Sequence, residues 1–176
     1  MARAAFGRVL CALVCAAAAT DVMRPTPRIV GGTAVTQFHY EFLVRIYGSV
    51  AQSNSGFCGG SLIANDWVLS AAHCFTNRPV NTINVGVHRH SVWSGSTSEH
   101  TCAEIIPAAA LHCHSGYNND AAAGNDICLV RLQRSVSCGH ITKARLDDGY
   151  AWPTDTAAPF FSGRGAVVGW GSTSAH

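Results

Sequence analysis

Leu69-Ser70-Ala71-Ala72-His73-Cys74 closes a short apolar run on a histidine and a cysteine, and a second cysteine stands sixteen residues upstream in Phe57-Cys58-Gly59-Gly60-Ser61-Leu62-Ile63. The run Trp67 to Ser70 has strand length and strand composition, and it follows the turn residues Asn65-Asp66. The same reading extends outward. Phe42 to Tyr47, Cys58 to Ile63, Ile83 to Val87, Ile127 to Leu132 and Ala166 to Trp170 are short apolar runs, and turn residues such as Gly48, Ser53, Asn54 and Ser55 lie between them. Ser91 to Ser98 and Asn118 to Gly124 read as loops, and Pro107 with Ala108-Ala109-Ala110 blurs the strand signal between Cys102 and His114. Many short strands without a long 3.6-period stretch predict an all-β barrel or sandwich. A crosslink at Cys74 would hold His73 still. That suits a general base, because a misplacement of about 1 Å can cost on the order of 100-fold in rate.

With 48% hydrophobic and 12% charged residues over 176 positions, the chain has the composition of a globular core. Its formal charge of +2 is local in origin: of the 12 Lys and Arg, Arg3, Arg8, Arg24 and Arg28 precede Ile29, whereas of the 10 Asp and Glu only Asp21 does. From Ile29 onward 8 basic side chains face 9 acidic ones, so no electrostatic footprint for nucleic acid is expected.

Arg3 and Arg8 precede the apolar run Val9 to Ala19, which ends in the small residues Ala17-Ala18-Ala19. This is the layout of a secretory signal peptide over residues 1–19. Eleven apolar residues are too few for a membrane span, which needs about 20, so no membrane association is expected once the signal is removed. Cys11 and Cys15 would leave with it. The six that remain, Cys58, Cys74, Cys102, Cys113, Cys128 and Cys138, are an even set in a secreted chain and predict disulfides.

Residues 20–28 carry Pro25 and Pro27 and end in Arg28-Ile29-Val30-Gly31-Gly32. An exposed Arg in extended, proline-containing chain suits a trypsin-like cut that frees an α-amino group on Ile29, although the same residues also suit a plain loop entering a strand. Asp126 precedes the apolar run Ile127 to Leu132. It reads either as a turn residue capping the loop before it or as the acceptor for the Nδ1 proton of His73, fixing the tautomer of that ring.

Arg28-Ile29-Val30-Gly31-Gly32, Cys58-Gly59-Gly60-Ser61-Leu62-Ile63, Ala71-Ala72-His73-Cys74, Asn125-Asp126-Ile127 and Gly169-Trp170-Gly171, in that order, resemble the chymotrypsin/trypsin family of serine endopeptidases. The resemblance implies a trypsin-like β-barrel fold of two six-stranded barrels, of which this chain would hold the complete first barrel and the start of the second. It implies His73 as general base and acid, Asp126 as its orienting partner, a Cys58–Cys74 disulfide beside the His loop, and Arg28–Ile29 as the zymogen activation bond. It further implies a signal peptide at 1–19, an activation propeptide at 20–28 and a protease domain at 29–176. Its partners would be protein or peptide substrates and an activating trypsin-like protease, its location extracellular, and no cofactor is called for.

The family's Gly-Asp-Ser-Gly-Gly-Pro motif is missing, and no Gly-x-Ser-x-Gly occurs in the chain. The expectation is therefore an incomplete protease domain that lacks its nucleophilic Ser and oxyanion hole and is inactive alone. The alternative is a protease-like protein that works by binding. Cys102, Cys113, Cys128 and Cys138 match no family cysteines: either they form two bridges, in any of three pairings, or Cys128 is buried and free. His88-Arg89-His90 and His112-Cys113-His114 lack the ligand spacing of a known zinc motif, so no metal site is assigned.

Overall fold

The computed structural model describes residues 32–48, 56–90, 99–146 and 166–170. The expected signal peptide at 1–19, the expected propeptide at 20–28 and the Arg28–Ile29 bond lie outside these residues. Six strands, β1 (Leu43–Tyr47), β2 (Cys58–Ala64), β3 (Trp67–Ser70), β4 (Asn84–Val87), β5 (Glu104–Cys113) and β6 (Cys128–Leu132), form one closed barrel in the order β1-β2-β3-β6-β5-β4. All of its pairings are antiparallel. Closure removes the exposed edges that an open sheet of this size would present. Among the described residues no helix is long and apolar enough to cross a membrane.

The interior is filled by β-branched and leucine side chains that the strands deliver inward: Val44, Ile46, Leu62, Val68, Val85, Val87, Ile106 and Val130 are all fully buried. Gly60 makes one contact possible. A Cβ there would stand 2.8 Å from the Leu69 carbonyl oxygen and 2.8 Å from Val68 Cγ1, so β2 can lie this close to its neighbours only without a side chain at that position.

β5 is the longest strand, although Pro107 and the alanines obscure it in the sequence. Its first part pairs with β4, from Val87 opposite Glu104 to Asn84 opposite Pro107, and its second part pairs with β6, from Ala108 opposite Leu132 to Cys113 opposite Cys128. Pro107 therefore falls opposite the first residue of β4, where that ladder ends and a missing N–H costs least. The register shifts between Ala108 and Ala110, as expected of a strand bending from one partner to the next. One reading of the sequence needs correction. Ala166–Trp170 is not a strand, its Trp170 indole instead donating to the His90 carbonyl at 2.9 Å. The loop at 118–124 contains a short 3₁₀ turn, Ala121–Ala123, capped by the Asp120 carboxylate accepting from the Ala122 N–H at 3.0 Å.

Candidate active site

The barrel register brings two distant segments to one end. Ser70, the last residue of β3, lies opposite Cys128, the first of β6, so the chain leaving β3 and the chain entering β6 meet at the same rim. Beyond Ser70 the chain makes a 3₁₀ turn over Ala72–Phe75 that buries Ala72, Cys74 and Phe75 and leaves His73 outside. Three apolar residues thus anchor a turn whose one polar member faces solvent. The turn is also covalently tied: Cys74 is disulfide-bonded to Cys58 at the start of β2, with a Cα separation of 6.1 Å.

Asp126 stands two residues before β6 and meets this turn through both carboxylate oxygens. Oδ1 accepts the His73 backbone N–H at 2.7 Å, and Oδ2 lies 2.7 Å from His73 Nδ1. The ring hydrogen bond, then the backbone one, with a further contribution from the Ala72 N–H, hold the Asp126 carboxyl below its ordinary pKa. A carboxylate so bonded selects the imidazole tautomer that carries its proton on Nδ1, which leaves Nε2 as the acceptor. The His73 side chain is 55% exposed and Asp126 18%, so the imidazole edge is open while its partner is partly sheltered. The arrangement can take a proton at Nε2 and stabilise the imidazolium that results.

The other sequence candidates are placed as follows. Cys102 is bonded to Cys138 and Cys113 to Cys128, so all six cysteines among the described residues are paired. His88 stacks on Phe38 with ring centroids 4.5 Å apart, and His114 Nδ1 accepts the Gly116 N–H at 3.0 Å. Among the described residues, His and Cys atoms that could share a metal ion gather only as Cys58, His73 and Cys74 and as Cys102, Cys138 and His140. In both groups the sulfurs are tied up in disulfides and offer no thiolate. The sequence reading missed the backbone half of the site. The N–H groups of Ala72 and His73 orient the carboxylate, and no side-chain pattern announces them.

The trypsin family's sequence model matches residues 29–176. The chain belongs to the trypsin family. It is 35% identical over 149 residues to an alpha- and beta-fibrinogenase of Ophiophagus hannah, an alignment covering 84% of this chain and 49% of that protein. To a trypsin of Xenopus laevis it is 37% identical over 131 residues, covering 73% of this chain and 46% of the other. In three dimensions it is similar to neuropsin, a serine protease expressed in the limbic system of mouse brain. The TM-score is 0.54 at 26% identity, with 68% of this chain and 48% of neuropsin covered. This trypsin-family chain therefore spans about half the length of the curated relatives it matches.

Proposed function

We propose that the chain is part of a secreted, zymogen-activated serine endopeptidase in which His73 is the general base and acid and Asp126 orients it. The observation that carries this reading is the two-point contact, both distances 2.7 Å, between the Asp126 carboxylate and the backbone and ring of His73. The chemistry is that established for the family. A serine hydroxyl gives its proton to His73 Nε2 as its oxygen attacks the substrate carbonyl, and the imidazolium then passes that proton to the leaving amine. Asp126 stays ionised throughout, which its lowered pKa favours. Substrates are protein or peptide chains. Cleavage after Arg28 by a trypsin-like protease would free the Ile29 amine, and residues 1–19 and 20–28 act as signal and propeptide. Three disulfides among the described residues suit an oxidising, extracellular compartment.

Residues 1–176 contain no Gly-x-Ser-x-Gly, so on this reading they do not hydrolyse peptides by themselves. A protease-like binding protein is the less favoured alternative, because binding alone has no need of an imidazole held by a carboxylate. The test is labelling by a serine-directed phosphonate. A product of the same message that carries Gly-Asp-Ser-Gly after these residues should be labelled, and His73→Ala should cut the labelling rate by several orders of magnitude. Undiminished labelling in that variant would remove His73 from the mechanism, and labelling of residues 1–176 alone would overturn their predicted inactivity.

A further inference from the structure

Asp126 is reached by a loop on one side and a strand on the other, and the two sides differ in how firmly they hold it. On the loop side Asn119, Gly124 and Asn125 have left-handed backbone, with φ of 68°, 87° and 59°, and residues 118–125 are all exposed. On the strand side Ile127 is 45% exposed and lies outside the buried core cluster, although its carbonyl accepts the His114 N–H at 2.9 Å. Cys128 is the first fully fixed residue. It is 1% exposed, lies opposite Ser70 of β3 and opposite Cys113 of β5, and is covalently bonded to Cys113.

We propose that the Cys113–Cys128 disulfide is a positioning element for Asp126, locking the ends of β5 and β6 together so that both carboxylate oxygens reach His73. The inference rests on the acid–base reading of that pair. The physical need follows from where the strands stop. β5 ends at Cys113, an exposed residue, and the ends of antiparallel ladders open more readily than their centres. Opening here would carry Ile127 and Asp126 with it. Hydrogen bonds of 2.7 Å do not survive a displacement of about 1 Å in good geometry. The turn that carries His73 is already tied to the start of β2 by Cys58–Cys74, so the two disulfides fix the two halves of the contact separately.

The test reads the position of Asp126 directly, by NMR on the oxidised chain. The low-field His73 Nδ1 proton and the carboxyl titration of Asp126 are followed in the wild type and in the double variant Cys113→Val with Cys128→Val, which keeps apolar volume on both strands. Expected is loss or severe broadening of the proton signal and an upward shift of the Asp126 titration toward the ordinary carboxyl range. A stability effect alone would move neither. A second measurement covers a variant that fails to fold. In the wild-type chain a dithiothreitol thiolate attacks the Sγ of Cys113, an exposed residue, and releases the Cys128 thiolate. The reagent then closes to its own cyclic disulfide, leaving two protein thiols for alkylation. The same two signals should change as Cys113 becomes alkylated. Wild-type values for both signals, in the Val pair or after that alkylation, overturn the proposal. Their absence from the wild type overturns it together with the acid–base reading. A wild-type chain that shows both, in a protein that never takes the phosphonate label, sinks the protease reading and leaves the positioning role standing.

Discussion

Gly59 and Gly60 are neighbours in β2, and the same substitution at each should have opposite consequences. An alanine Cβ at Gly60 would lie 2.8 Å from the Leu69 carbonyl oxygen, 2.8 Å from Val68 Cγ1 and 3.3 Å from Val44 Cγ2. None of these can yield cheaply. The Leu69 carbonyl belongs to the β2–β3 ladder, in which Ser61 faces Leu69 and Leu62 faces Val68, while the two valines are fully buried. Gly60→Ala is therefore overpacking with no soft partner and should cost about 2–3 kcal/mol, the upper part of the usual range. At Gly59 the nearest heavy atom to such a Cβ is the Val44 carbonyl oxygen at 3.7 Å, an ordinary contact on an exposed face. Gly59→Ala should be neutral or stabilising by about 0.4–1 kcal/mol, through the smaller entropy of the unfolded chain. Urea unfolding of the oxidised protein, followed by far-UV circular dichroism, measures both. Two variants equal within about 0.5 kcal/mol, or Gly59→Ala the weaker, would refute the account of how β2 packs.

Four further outcomes can be checked on the same protein. Leu62→Ala empties a fully buried site in the barrel and should cost about 2–5 kcal/mol in the same urea assay. Removing the Cys58–Cys74 disulfide by paired serines should cost about 3 kcal/mol, the usual value for a loop of this length, read as a lower denaturation midpoint. Burial, and then the neighbouring His100, hold the His88 pKa below its ordinary value, so the unfolded chain takes the proton first. Stability should fall as pH drops below about 6.5, and His88→Asn, which tolerates the positive φ of 52°, should flatten that part of the urea midpoint-against-pH curve. Asp126, with its lowered pKa, contributes stability above the ordinary carboxyl range that disappears as pH falls through its folded pKa. Asp126→Asn should remove that acid limb from the curve.

The barrel was legible because its strands obey local rules. Phe42–Tyr47, Cys58–Ile63, Trp67–Ser70 and Ile83–Val87 are short, apolar and bounded by turn residues, and each lies within a residue or two of an observed strand or its flank. β5 was obscured because its stability is not local. Alanine and proline are poor strand formers, and residues 104–113 are held extended by β4 on one half and β6 on the other, which only the closed topology supplies. Ala166–Trp170 errs in the opposite direction. Its composition suits a strand, but no described strand pairs with it.

The site divides along the same line. His73 could be found because a histidine and a cysteine at the end of an apolar run are a local pattern. Asp126 could only be suspected, since an acid before a strand is more often a turn residue, and what distinguishes this one is a partner 53 positions away. The join between them is a property of register. Once Ser70 and Cys128 are opposed, three residues beyond the one and two before the other share a rim, and the backbone amides of the His73 turn face the carboxylate without any side chain to signal it. The pairing of Cys113 with Cys128 was equally undecidable from spacing, because it depends on β5 having shifted register at Ala108–Ala110 before it reaches β6. The strand hardest to read in the sequence thus presents the cysteine that anchors the approach to Asp126. The carboxylate's position is therefore set by the bend in β5 as much as by the His loop that it serves.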